Sequence, residues 1–161
     1  MESKRRKLDR IDRRILAELQ ADGRLPFVEL AERVGLSTSP CLERVRKLER
    51  EGWILGYHAQ LASDRLGAGL LVFVEISLDY TTGGKAVFEA FRAAVTRWPE
   101  IQECHLVSGD FDYLLKIRIA DMAAYRELLG EIVRDLPGVR DSRTLVAMET
   151  VKESSAIAIE P

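Results

Sequence analysis

Four cations, Arg44, Arg46, Lys47 and Arg50, fall within seven consecutive positions. Guanidinium and ammonium groups packed this closely attract anions, and a row of them along one element can neutralise the phosphates of a nucleic acid. Thr38, Ser39 and Glu43 stand ahead of and beside them, with side chains that donate to or accept from base edges. On a helix turning about 100° per residue, Ser39, Pro40, Glu43, Lys47 and Arg50 share one face. Arg44 and Arg46 flank that face, and Leu42, Val45 and Leu48 point inward. When such a helix lies in the major groove, its N-terminal half meets bases and its later residues meet phosphates. Thr38, Ser39, Glu43, Arg44 and Lys47 are therefore expected at or near base edges, and Arg46 and Arg50 on the phosphate backbone.

Other chemistry is thinly supplied. Asp110 and Asp112 imitate a paired-carboxylate site. Yet the only histidines are His58 and His105, with no nucleophile–base pattern, no phosphate loop and no metal-spaced cluster. No enzymatic activity, metal or cofactor is expected. Cys41 and Cys104 lie far apart, and only His105 neighbours either at ligand spacing. Both read as small buried residues rather than a disulfide or a zinc site.

The cations need a scaffold, and the sequence supplies one. Phe27, Leu30, Ala31 and Val34 recur at i, i+3, i+4 and i+7, the stripe of a helix. Gly35 suits the positive φ of a helix end, Leu36 can plug the angle that follows, and Ser37, Thr38 and Ser39 are all possible N-caps. Pro40 fits only a first turn. Upstream, Leu8, Ile11, Ile15, Leu16 and Leu19 share a helical face, with Asp9 and Asp12 as an N-terminal cap and Gly23 closing the helix. Pro26 occupies a cap position without a side-chain acceptor, at a cost of up to ~1 kcal/mol. Trp53 to His58 reads as a short strand. Residues 1–60 are thus expected to form a three-helix, winged-helix-like helix-turn-helix domain. Spacing alone also fits a solvated charged face on a helical hairpin; the third helix favours the DNA reader.

Composition agrees with this division. Residues 1–60 hold 13 Lys/Arg against 10 Asp/Glu, a net +3, whereas residues 61–161 hold 11 against 16, a net −5. Lys4, Arg5, Arg6 and Lys7 add a basic arm that could touch phosphate or simply stay solvated. No apolar run approaches a membrane span and no apolar leader follows the basic N-terminus, so a cytoplasmic chain with no membrane partner is expected. After a Gly-containing hinge at 61–69, the order is strand (70–78), Gly-rich turn (81–85), helix (Val87, Phe88, Phe91, Ala94, Val95), then strands at 101–108 and 113–119 around a 109–112 turn. A helix follows (Met122, Tyr125, Leu128, Leu129, Ile132, Val133), and 139–151 holds a last strand. This βαββαβ order over 70–161 implies a ferredoxin-like α+β sandwich with one open sheet face. A second copy is the obvious cover, and a two-fold pair would match a palindromic operator.

At this point the residues reach a known pattern. LDRIDRRIL (8–16), VGLSTSPCLERVRKLEREG (34–52), LLVFVEISL (70–78), IQECHLVSGDFDYLLK (101–116) and LPGVRDSRT (136–144) resemble motifs of the leucine-responsive regulatory (Lrp/AsnC) family of transcription factors. The resemblance runs from about Leu8 to Lys152. It implies an amino-acid-responsive DNA-binding regulator of amino-acid metabolism, built as a sheet-to-sheet dimer that can assemble into octamers or larger rings. It also implies a small amino-acid effector, leucine or alanine, in clefts between dimers. The family's effector motif falls on Gly109 and Asp112, with Val107, Ser108 and Tyr113 beside it. Met122, Leu145, Val146 and Ala147 match positions that tune the response, although the family often has an aromatic where Leu145 stands. Such a cleft is chemically sensible: Asp112 can hold an ammonium, and a Gly turn exposes N–H donors for a carboxylate. Without the resemblance, a plain hairpin turn at Gly109-Asp110 is the slightly favoured reading. The competing function is an architectural DNA-binding protein with little effector control.

Overall fold

The computed structural model describes residues 7–81 and 84–160, apart from the side chain of Val133. Lys4, Arg5, Arg6, the middle of the 81–85 turn and the place of Val133 on its helix therefore lie outside the described residues. The chain forms two compact units. One joins the first sixty positions to the tail from Lys152, and the other runs from Leu61 to Val151.

In the first unit, Asp9 opens α1 (Arg10–Ala21) by accepting the Asp12 N–H at 2.7 Å. The helix ends on an extended Asp22, not on Gly23 as its sequence suggests, and Gly23 has no left-handed φ. Asp22 builds the following turn itself by accepting the Arg24 N–H at 2.9 Å, so no left-handed residue is needed. α2 (Phe27–Val34) starts behind Pro26, which offers no side-chain cap. Leu30, Ala31 and Val34 are buried as expected, but Phe27 is 40% exposed. Helical Cβ atoms tilt toward the N-terminus, so a first-position side chain points off the end of the helix rather than onto the core. Gly35, at φ 76°, turns the chain into α3 (Thr38–Arg50), for which Ser37 is the N-cap residue. Cys41, Val45 and Leu48 of α3 are buried, and they pack with Ile15, Leu19, Leu25, Leu30 and Val34 in one core. Cys41 thus takes the inward place expected of Leu42, which is half-buried.

The strand expected at 53–58 is absent: residues 54–60 carry no assigned secondary structure among the described residues. Trp53 and Ile54 pack on the helical core, while Leu55 is 94% exposed. The apolar run reflects that packing, not a ladder, and no β-hairpin follows α3 within the first unit among the described residues. The tail from Lys152 packs with the first unit. Gln20 grips it through its amide, donating to the Ile157 carbonyl at 2.8 Å and accepting the Ile157 N–H at 2.9 Å, and Arg13 donates to the Glu160 carbonyl at 3.0 Å.

The second unit contains β1 (Leu70–Leu78), α4 (Lys85–Val95), β2 (Ile101–Leu106), β3 (Tyr113–Ile119), α5 (Met122–Asp135) and β4 (Val139–Val146). The βαββαβ order is as expected. The strands form one antiparallel sheet in the order β2-β3-β1-β4. Alternation along β1 sends Val72, Val74, Ile76 and Leu78 into the core with Phe91, Val95, Tyr125, Leu128 and Ile132 of the helices. The opposite face carries Phe73 between Lys116 and Leu145, and Glu75 between Leu114 and Arg143.

Candidate nucleic-acid interface and ligand cleft

α3 is anchored on one side and open on the other. Its buried stripe leaves Thr38, Ser39, Glu43, Arg46 and Arg50 exposed, in the arrangement expected of a groove reader. Lys47 is partly exposed, with Glu51 at 3.8 Å one turn later. That pair is loose and solvated, so Lys47 can exchange it for a phosphate or a base at little cost.

Arg44 is placed otherwise. One guanidinium nitrogen, Nη1, lies 2.7 Å from Oδ2 of Asp9 and 2.7 Å from Oδ1 of the buried Asp12. The Asp12 N–H and then the Arg44 guanidinium hold the Asp9 carboxyl below its ordinary value, and the same two carboxylates raise Arg44. Arg44, expected beside the bases, is turned back onto α1. The acidic partners were visible as a helix cap, but nothing in local spacing shows that a residue some thirty positions on would bridge them. Cys41 is a buried thiol whose ionisation burial opposes, which fits a packing role.

The expected effector residues form two groups. Val107, Ser108, Gly109 and Asp112 lie in the β2–β3 hairpin, closed by the Val107 N–H on the Asp112 carbonyl at 2.9 Å. Gly109 has φ 149°, and a Cβ there would meet nothing within 4 Å, so its backbone is open to a ligand. Asp112 also ties the hairpin to the end of β1. Its N–H donates to the Ile76 carbonyl at 2.8 Å, and its carboxylate accepts the Leu78 N–H at 2.7 Å and the Tyr80 hydroxyl at 2.6 Å. Tyr80, which sequence reasoning missed, stacks on Phe88 with centroids 5.6 Å apart. Tyr113 departs from expectation: its ring is buried against Phe91 at 4.6 Å, and its hydroxyl accepts from Arg92 Nε at 3.1 Å. The alternation of β3 sends Tyr113 to the helix side with Leu115 and Ile117.

Met122, Leu145, Val146 and Ala147 lie at the other end of the sheet. Val146 pairs with Val72 and the Ala147 N–H reaches the Leu71 carbonyl, whereas the hairpin adjoins Ile76 and Leu78. At ~3.4 Å per residue the length of β3 puts roughly 20 Å between the two groups. One sheet therefore does not bring them into a single pocket.

Among the described residues no group of three or more His, Cys, Asp or Glu side chains could hold a metal ion, and no helix is long and apolar enough to cross a membrane.

Comparison with known proteins agrees with both units. Residues 8–49 match the AsnC-type helix-turn-helix domain, and residues 71–157 match the Lrp/AsnC ligand binding domain. The chain is 63% identical over 153 residues to the leucine-responsive regulatory protein of Salmonella typhimurium, covering 95% of this chain and 92% of that one. A transcriptional regulator of Neisseria meningitidis, solved with L-methionine, superposes with a TM-score of 0.88 at 36% identity, covering 94% of this chain and 97% of the other. The feast or famine regulatory protein of M. tuberculosis, also solved with L-methionine, gives 0.85 at 34% identity, covering 96% and 100%. The chain belongs to the Lrp/AsnC family and is an amino-acid-responsive, DNA-binding transcriptional regulator rather than an enzyme.

Proposed function

We propose that the regulator reads a palindromic operator as a two-fold assembly and that a small apolar amino acid bound between copies alters that reading. Thr38, Ser39, Glu43 and Lys47 meet base edges, and Arg46 and Arg50 meet phosphates. The observation that carries this reading is α3 itself, whose apolar stripe is buried while its polar row stands clear. A two-fold axis would set two such helices about 34 Å apart, or a multiple of that, to match half-sites.

Two features support assembly through the sheet. The open face carries Phe73 and the exposed Leu145 side by side, an apolar centre that a second copy would cover. The separation of the hairpin from Met122 and Leu145–Ala147 means that a cleft using both groups draws them from different copies. Octamers or larger rings of dimers would then create the effector sites. Leucine and alanine are the first candidates, and methionine joins them because two solved relatives hold it. The complex works on chromosomal DNA in the cytoplasm.

The test pairs gel shifts with sedimentation. A duplex selected by this protein from a random-sequence library is titrated with and without leucine, alanine and methionine. A defined site, and an amino acid that shifts affinity or assembly state several-fold, are expected. Weakly selective binding untouched by any amino acid overturns the reading in favour of an architectural protein. A monomer in solution overturns the two-fold assembly.

A further inference from the structure

We propose that Arg44 is a positioning residue of the DNA reader: through Asp9 and Asp12 it sets the roll of α3 and does not itself touch DNA. The proposal rests on α3 being the reader and adds how that helix is held.

The geometry is specific. Asp9 is anchored at the start of α1 by its bond to the Asp12 N–H, and Asp12 is buried in the first turn of the same helix. Both carboxylates converge on Nη1 of Arg44 at 2.7 Å. α1's N-terminal dipole supports two anions at that spot, where a single surface carboxylate would gain less. Apolar packing of Cys41, Val45 and Leu48 fixes the depth of α3 and which face is buried, leaving small rolls to be set at the edge of that stripe. A charge-assisted bond at the edge of the stripe is directional and resists roll. A roll of about 20° moves a side-chain tip about 6 Å from the axis by roughly 2 Å, enough to break a base contact. Phosphate contacts by long, flexible Arg46 and Arg50 tolerate such a shift better. The clamp therefore acts on sequence discrimination more than on general DNA affinity.

A direct DNA contact predicts the opposite sign. If Arg44 touched DNA, Asp12→Asn would remove a competing anion and tighten binding. If Arg44 positions the helix, Asp12→Asn loosens the roll and weakens operator binding. Asp9→Asn is the gentler partner variant, since Asn caps helices about as well as Asp and the fold is retained.

The experiment measures binding of the full chain to a library-selected duplex and to a scrambled duplex of equal composition, from 50 to 300 mM salt. For Asp12→Asn and Asp9→Asn we expect operator affinity to fall about tenfold and about threefold. Scrambled-duplex affinity should stay within twofold, and the slope of log affinity against log salt should be unchanged. Arg44→Gln should behave like Asp12→Asn. A loss of about 0.9 from that slope for each bound protomer in Arg44→Gln marks a phosphate contact and overturns the proposal. Tighter or unaltered operator binding by Asp9→Asn, with a native circular dichroism spectrum, overturns it as well. Lys47→Ala serves as the control. Operator binding weakened there but unchanged in the clamp variants rejects the clamp alone, whereas no effect in Lys47→Ala counts against α3 as the reader.

Discussion

Tyr80 donates its hydroxyl proton to Oδ1 of Asp112 at 2.6 Å, while the Leu78 N–H takes Oδ2 at 2.7 Å. Both oxygens of the carboxylate expected to receive an amino-acid ammonium thus have partners within the chain. A carboxylate has about four acceptor directions, so an ammonium can still approach, but at Oδ1 it competes with a phenol. The same bond raises the Tyr80 pKa, because the neighbouring carboxylate disfavours the phenolate.

Removing that competitor should help the effector. Tyr80→Phe keeps the stacking on Phe88 and frees Oδ1, and we expect amino-acid binding to tighten by about 1 kcal/mol, roughly fivefold in Kd. Isothermal titration with leucine, alanine and methionine checks this. Equal or weaker binding to all three means Tyr80 does not contend for the site.

Asp112→Ala acts in the other direction. It leaves the part-buried Leu78 N–H without its carboxylate acceptor, costing about 1–3 kcal/mol of stability, whereas the exposed Tyr80 hydroxyl turns to water. It should also remove the amino-acid response while operator affinity without ligand stays within twofold. Gel shifts and urea melts read the two effects separately. A full response in this variant would relocate the ammonium site. Because ligand coupling is typically about 1–3 kcal/mol, the wild-type effect is expected to be graded.

The Asp9 clamp makes the head acid-sensitive in a defined window. The folded pKa of Asp9 lies below its ordinary 3.8, so near that pH the unfolded state binds more protons than the folded one. The stabilisation is present above about 3.8 and is lost as pH falls through the lower, folded value. Asp9→Asn should flatten this part of the curve. Thermal melts between pH 6 and pH 2 that decline equally in both proteins would show that other carboxylates control acid unfolding.

Gly138 has φ 74°, and a Cβ there would sit 2.2 Å from Cγ1 of Val87. Its carbonyl also accepts the Asp79 N–H at 2.8 Å, so the backbone is held in place. Left-handed strain and overpacking together should make Gly138→Ala about 2–4 kcal/mol less stable. Urea unfolding of the purified protein measures it, and a loss under 1 kcal/mol would mean the α4 packing yields freely.

Much of this architecture is legible in the sequence because burial and period coincide. Leu30, Ala31 and Val34, or the alternating Val72, Val74 and Ile76, announce their elements through spacing alone. The failures are instructive. Trp53–His58 has strand-like composition, but a strand also needs a neighbour, and periodicity does not report neighbours. Tyr113 has the motif position of a cleft residue, yet the parity of β3 turns it inward. Arg44 and Lys47 are indistinguishable as charges on one helix; only the fold brings Asp9 and Asp12 to one of them. That the expected effector positions divide between two ends of the sheet follows only from the strand pairing.

The grip of Gln20 on Ile157 spans 137 positions, and that of Arg13 on Glu160 spans 147. A ribosome delivers the three helices of the head before the sheet, yet must translate the entire sheet before the segment that dresses α1 emerges. The head is begun before the sheet and completed after it. During synthesis the nascent reader therefore exists for many seconds with that flank of α1 bare, at ~5–20 residues added per second.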